Sequence, residues 1–280
     1  MEQNPANRWH GSDPDLYLVG AGVSFPEHLT LQAIETLTAC TRIFTNIPES
    51  ELDILPENIR TKCHSLWSLY QENRDRVENY GAVVEAVINA AEAQRPFAWM
   101  TPGHPLVFDS VSQALMVAGH ERGWHVCALP GISCLDTILA EIGYDPAGGL
   151  LVHDANSLVM QKLSLVPSFA TLLLQPSAFG SSLAHLTSQW QPDLSPLRDY
   201  LRDFYAGEHK CAFVHSSSKS GGMAQIYWKN INDLTSVPFD ALAGSTMFVP
   251  PEVPELSVKS APSVASQLAK KVSSGMRSQD

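Results

Sequence analysis

FAWMTPGHPLVF, Phe97–Phe108, runs from four apolar residues through Thr101 into Pro-Gly-His-Pro. The apolar run reads as a buried strand. The chain must then turn sharply, and Pro102, Gly103 and Pro105 are residue types that fix such a turn. A purely folding turn has no use for the imidazole of His104. In an open α/β sheet, ligands bind beyond the carboxyl ends of the strands, so a shaped loop bearing a polar side chain there is a candidate site. The plainer reading is a rigid turn with one exposed imidazole.

The flanking sequence says which kind of sheet this is. LYLVGAG (16–22) is a short apolar run ended by glycines, and HLTLQAIETLTAC then spaces Leu29, Ala33, Ile34 and Leu37 at helical intervals. RIFTN (42–46) reads as a second strand, followed by a Pro- and Glu-rich connection to about residue 64. VENYGAVVEAVINAAEA is helical in propensity and period, PFAWM (96–100) is a strand and VSQALMVAGHERG a helix. HVCAL (125–129) is the next strand, and CLDTILAEIGYDP the next helix. Strands alternating with helices of this length predict a mostly parallel sheet with crossover helices, in a first α/β domain over residues 15–140. Beyond it GLLVHDA, ATLLLQP, KCAFVH, AQIYWK and STMFVP are strand-like, with one helix at LRDYLRDFY (197–205). That texture predicts a second α/β domain with a mixed sheet, residues 141–251. Residues 1–14 read as a polar tail and 252–280 as a flexible one, within which SVASQLAKKVSSGM has the pattern of a short helix.

Composition narrows the function. The chain has 280 residues, a formal charge of −11 and 44% hydrophobic residues. The charge opposes attraction to phosphate backbones, and no basic cluster exceeds the Lys270-Lys271 pair, so nucleic acid is excluded as a default partner. No apolar run reaches the roughly 20 residues of a membrane span, and the N-terminus has no secretory pattern. Five scattered cysteines without a CxxC pair fit reduced thiols in a cytoplasm.

Several familiar motifs fail. VGAGVSF places Phe25 where a dinucleotide fingerprint needs its third glycine, and the second strand ends in Thr45 and Asn46 rather than in a ribose-binding carboxylate. GISCL (131–135) lacks the closing glycine of a nucleophile elbow. SSSKSGG (216–222) has no Walker A glycine ahead of its lysine and reads as a mobile loop. The ten histidines contain no HxH or HxxxH pair, so no metal site is expected.

In order, LYLVGAGVSFPEHLTLQAIETLTACTRIFTN, TPGHPLVF, LPGISCLDTILAEIGYDP and STMFVPP resemble the tetrapyrrole methylase superfamily of S-adenosylmethionine-dependent methyltransferases, across about residues 15–251. Porphyrinoid methylases usually have an aspartate where His104 stands. GHP followed by a Val-Phe pair is similar instead to the borosin branch, the peptide-backbone α-N-methyltransferases. SLWSLYQENRDRVENY (65–80) supports that branch: Tyr70, Arg76 and Tyr80 stand at its spacings. Trp67 and Pro102 occupy positions where borosin enzymes commonly have tyrosines. An indole offers an N–H donor but no ionisable hydroxyl, and proline offers neither.

The resemblance implies a two-domain fold with S-adenosyl-L-methionine in the interdomain cleft. Matched residue by residue, the cofactor would touch Pro102, His104, Val107, Ser133, Cys134, Gln175, Ser245 and Thr246. It also implies a homodimer acting on a peptide or small-molecule methyl acceptor. Only about thirty Ser- and Lys-rich residues follow Pro251, so a peptide acceptor is expected on a separate chain. The chemistry fits the residue types. A backbone amide nitrogen is a poor nucleophile until it becomes an imidate. Arg76 and Tyr80, one helical turn apart, can converge on one point, where a guanidinium favours phenolate. Tyr80 would be the base, Arg76 its electrostatic partner and Tyr70 the donor to the amide oxygen. The alternatives are a tetrapyrrole or other small-molecule methyltransferase, and a catalytically lapsed cofactor-binding scaffold.

Overall fold

The computed structural model describes residues 14–91, 95–186, 190–218 and 222–252. The N-terminal tail, the expected C-terminal helix and three residues of SSSKSGG lie outside them. The first sheet is five parallel strands in the order β3-β2-β4-β1-β5: β1 (Leu16–Gly20), β2 (Arg42–Thr45), β3 (Cys63–Ser65), β4 (Phe97–Thr101) and β5 (Val126–Leu129). Both faces are covered, which is why β4 is buried at all five positions. Leu16, Leu18, Phe97 and Trp99 point to one face, under α3 (Arg76–Ala91) and α4 (Ser110–Glu121). Val19, Ala98 and Met100 point to the other, under α1 (Leu31–Ala39) and the 47–62 segment.

Local chemistry fixes the helix ends. Thr30 accepts from the Ala33 N–H at the start of α1, and Asp109 accepts from the Ser112 N–H at the start of α4. Lys62 Nζ donates to the carbonyls of Leu37, Thr38 and Cys40 at 3.3, 2.6 and 2.9 Å, closing the end of α1. The stretch read as a plain connection is therefore ordered: it holds a 3₁₀ turn at Glu49–Ile54, α2 (Glu57–Arg60) and β3. Leu52, Leu55 and Ile59 bury against α1 within this otherwise charged stretch.

The second sheet is mixed, in the order β6-β7-β10-β8-β9: β6 (Leu150–Asp154), β7 (Ala170–Leu174), β8 (Lys210–His215), β9 (Gln225–Asn230) and β10 (Thr246–Val249). Only β6 and β7 are parallel. One face packs under α6 (Ala155–Met160), α7 (Ser195–Arg202) and α8 (Phe239–Leu242). The other face buries Ala170, Leu172, Ala212 and Phe248 against Ile138 of α5 (Cys134–Ile142), the helix that follows the last strand of the first sheet and leads into the second.

The carboxyl ends of β4, β1 and β5 meet backbone to backbone. Gly103 N–H donates to the Gly22 carbonyl at 2.9 Å, and Gly22 N–H donates to Gly103 at 3.1 Å. A Cβ on Gly131 would stand 2.3 Å from the Gly103 oxygen and 2.8 Å from Gly20 Cα; one on Gly20 would stand 2.6 Å from both Gly103 O and Gly131 N. Gly103 differs: its φ of +71° needs glycine, but a Cβ there would meet nothing within 4 Å. Gly131→Ala should therefore cost about 3 kcal/mol, the top of the range for overpacking. Gly103→Ala should cost about 1 kcal/mol, from left-handed backbone alone. Urea denaturation of the two variants checks the ranking.

Candidate functional site

Arg76, the first residue of α3, ties the two sheets together. Its Nη1 donates to Gln175 Oε1 at 3.0 Å, its Nη2 to the Ser181 carbonyl at 2.7 Å and its Nε to the Ser182 carbonyl at 3.3 Å. The backbones join there too. Asn73 N–H donates to Ala184 O, Ala184 N–H to Arg74 O and Arg76 N–H to Ser182 O, at 2.8, 2.8 and 2.9 Å. Leu186 N–H donates to Glu72 Oε2 at 2.8 Å. Residues 181–186 thus form a strap laid antiparallel along the residues that lead into α3. Gln175, at the end of β7, holds a left-handed backbone with φ +54°, as do Asn73 (+56°) and Phe108 (+61°). Three strained non-glycine positions around one guanidinium mark a place where geometry is imposed by the surroundings.

Beside Arg76 the strap closes a cavity of about 610 Å³, whose lining includes Trp67, Tyr70, Arg76, Tyr80, Gln175 and Trp190. Trp67 and Tyr70 flank a single 3₁₀ turn and stack at 5.6 Å, while Tyr70 meets Tyr80 edge-on at 6.1 Å. Burial pushes the Tyr70 phenol well up, with Asp109 and Tyr80 adding to it and a hydrogen bond with Asn46 opposing. Burial raises Tyr80 too, but there Arg76 pulls down against it and Asp109 pushes up. The guanidinium acts on Tyr80 in the expected direction, and desolvation is larger. A second cavity of about 560 Å³ shares Arg76, Tyr80 and Gln175 and continues to Phe108, Ala114 and Asp154. The Arg76–Gln175 hydrogen bond stands between the two.

The residues matched to the cofactor fall around the glycine junction and the end of β10. His104 is half-buried, and its Nδ1 accepts from the Leu106 N–H at 3.0 Å; Pro102 is exposed and Val107 half-buried on the same loop. Ser133 caps α5 in a reciprocal box with Asp136, donating to Asp136 Oδ2 at 2.7 Å. Cys134 hydrogen-bonds Thr246, and burial raises its thiol. Ser245 donates to the Leu242 carbonyl at 2.9 Å. The paired register of β10 with β7 ends at Met247–Leu173, and Gln175, also matched to the cofactor, follows β7 directly while accepting from Arg76. Gln175 is thus common to both groups. Among the described residues no three His, Cys, Asp or Glu side chains gather as a metal site, and no helix is long and apolar enough to cross a membrane.

Two further residues of the site, one behind Tyr70 and one on the cavity wall, gave no sequence signal. Asn46 follows β2 and hydrogen-bonds Tyr70, with its Oδ1 buried and unpartnered. His185 stacks on Trp190 at 4.5 Å with the ring planes 4° apart. Each comes from a distant part of the chain, and only the fold brings it to Tyr70.

The family model of Tetrapyrrole (Corrin/Porphyrin) Methylases matches residues 15–226. The chain belongs to the tetrapyrrole methylase family. Among curated members, a methyltransferase and type I borosin cyclic peptide precursor of Mycena rosella is 28% identical over 59% of this chain and 42% of its own. A type II counterpart from Phlebiopsis gigantea is 25% identical over 84% of this chain and 43% of its own. The chain spans less than half the length of the curated relatives it matches first. Uroporphyrin-III C-methyltransferase of Thermus thermophilus shares the fold. Its native form has a TM-score of 0.55 at 16% identity, over 90% of this chain and 99% of that one. The form complexed with S-adenosyl homocysteine has a TM-score of 0.51 at 15% identity, over 84% and 96%. Two packed sheets, the first parallel and the second mixed, are thus the tetrapyrrole methylase architecture.

Because Arg76 holds the strap through its side chain as well as its backbone, Arg76→Ala, which removes two charge-assisted hydrogen bonds to the strap, should raise amide exchange at Ala184 by roughly tenfold or more. Exchange in β1 should stay unchanged. Hydrogen exchange read by mass spectrometry distinguishes the two regions.

Proposed function

We propose that this chain is an S-adenosylmethionine-dependent methyltransferase acting on backbone amide nitrogens of a peptide. The observation that carries the reading is the gathering of Tyr70, Arg76 and Tyr80 on one cavity wall beside Gln175. The borosin names of the curated relatives support the choice of acceptor.

The protein fits the cofactor in kind. The half-buried loop Pro102–His104 has at Gly103 a face where a Cβ would meet no neighbouring atom within 4 Å, so a ligand can approach the backbone closely. His104, Val107, Ser133, Cys134, Gln175, Ser245 and Thr246 would hold it, with Pro102 shaping the turn. When bound, S-adenosyl-L-methionine supplies an electrophilic methyl group on a sulfonium sulfur.

The chain's own residues do the rest. Tyr80, as phenolate, removes the amide proton, and Arg76 stabilises the phenolate while the proton is in transit. Tyr70, held protonated by its burial, donates to the amide oxygen as negative charge develops there. Trp67, Tyr70, Tyr80 and Trp190 give the charged step a partly apolar surround. The reading extends to a cytoplasmic homodimer. The five thiols are free, which suits a reducing compartment. Exposed Val77 and Phe108, beside Val84 and Ala114, make an apolar face that a second copy would cover.

Calorimetric titration with S-adenosylhomocysteine tests the cofactor. Binding should be present, and weaker in His104→Ala; a folded protein that does not bind would overturn the reading. Tyr80→Phe should reduce methyl transfer by roughly a hundredfold or more while leaving cofactor affinity in place. The raised phenol is protonated at neutral pH, so its basic form grows as pH rises. The methylation rate should accordingly climb about tenfold per pH unit across the neutral range, and a rate that falls on the alkaline side would rule Tyr80 out as the base.

A further inference from the structure

The cavity beside Arg76 is lined by polar, aliphatic and aromatic side chains together. Among its polar groups, Arg76 and Gln175 are bonded to each other at 3.0 Å. The lining also includes Trp67, Tyr70, His185, Leu186, Trp190 and Phe239. Two of these surfaces are stacked pairs from distant parts of the chain: Trp67 on Tyr70, and His185 on Trp190. The second is built rigidly. His185 Nε2 and Ser181 Oγ are 2.9 Å apart, and Ser181 and Ser182 also accept Arg76's Nη2 and Nε at their carbonyls, so the ring is fixed from two sides. Its plane lies 4° from that of Trp190 at a centroid distance of 4.5 Å, so the two rings form a parallel stack whose outer faces and edges are left to a ligand. Trp67, 42% exposed, lines the same cavity with its indole stacked on Tyr70. The Tyr70, Arg76 and Tyr80 chemistry requires none of His185, Trp190 or Trp67.

We propose that the His185–Trp190 and Trp67–Tyr70 stacks form a recognition pocket for a planar aromatic side chain of the methyl acceptor, with His185 and Trp190 as its specificity-determining residues. This rests on the acceptor being a peptide amide. Flat π surfaces gain more from an aromatic partner than from an aliphatic one of equal area, through offset or edge-on contacts. The cavity's volume of about 610 Å³ lies in the range of small-ligand sites and admits a ring together with the adjoining backbone amide.

The probes are N-acetyl-tryptophan methylamide and N-acetyl-cyclohexylalanine methylamide, titrated by saturation-transfer NMR with and without S-adenosylhomocysteine. The tryptophan amide should bind tighter by roughly two- to tenfold, the value of one aromatic pair. Trp190→Leu keeps an apolar side chain but removes the ring, and should bring the ratio close to one; His185→Leu should reduce it. S-adenosylhomocysteine affinity should be unchanged in both variants, which reports that they fold. Equal binding of the two amides, a preference that survives in Trp190→Leu, or no binding of either amide at millimolar concentration would overturn the pocket. Aromatic preference without methyl transfer to any peptide supports the pocket and overturns the methylation reading. Methyl transfer indifferent to aromatic side chains does the reverse.

Discussion

The guanidinium of Arg76 is the constraint on which the site depends. Its planar fork reaches three acceptors on the far side of the molecule at once, a set that the point charge of a lysine could not match. Those acceptors are an amide oxygen and two carbonyls, all neutral. The ion pairs among the described residues join Arg60 to Asp53, Arg74 to Glu78, Arg95 to Asp15 and Arg198 to Asp199, and none takes up Arg76. Its positive charge is therefore spent on position without being neutralised, and it remains available to Tyr80.

A second constraint acts from below. Gly20, Gly103 and Gly131 sit at the carboxyl ends of three adjacent parallel strands, and their backbones approach so closely that a methyl group on Gly20 or Gly131 has no room. The Pro102–Pro105 turn is consequently part of the fold's tightest junction, and the same closeness brings it beside the start of α5, where Ser133 and Cys134 lie. The exposed side of Gly103 is the part of the junction left free for a ligand. Packing and binding use opposite faces of one loop.

The sequence made four strands of the first sheet legible because they are apolar runs and its helices long enough to display a 3.6-residue period, whereas β3, Cys-His-Ser, read as part of a connection. The 47–62 segment escaped because its short turns bury only one or two apolar residues each, among prolines and glutamates that read as a connection. α6 and α8 escaped for the same reason, being six and four residues long. At the site, Arg76 and Tyr80 were legible as an i, i+4 pair. The Arg76–Gln175 bond, the His185–Trp190 wall and the Asn46 contact with Tyr70 were not, since each depends on how separate segments meet. Gln175 was singled out, but nothing local announces that its backbone is left-handed.

Two phenols stand 6.1 Å apart in the same cavity, and the protein treats them differently. Desolvation raises both, because an ionised phenol loses more on burial than a neutral one. For Tyr70, Asp109 and Tyr80 reinforce the burial, with only the hydrogen bond to Asn46 against it. For Tyr80, the first influence after burial is the Arg76 charge, which works in the opposite sense. The two side chains are thereby pushed apart along one scale, and such a separation divides proton-holding from proton-taking roles between like groups. The phenol kept neutral suits the donor, and the phenol next to the guanidinium suits the base. That division follows from which of the two the first turn of α3 brings Arg76 against, and the strap holds the guanidinium in that place.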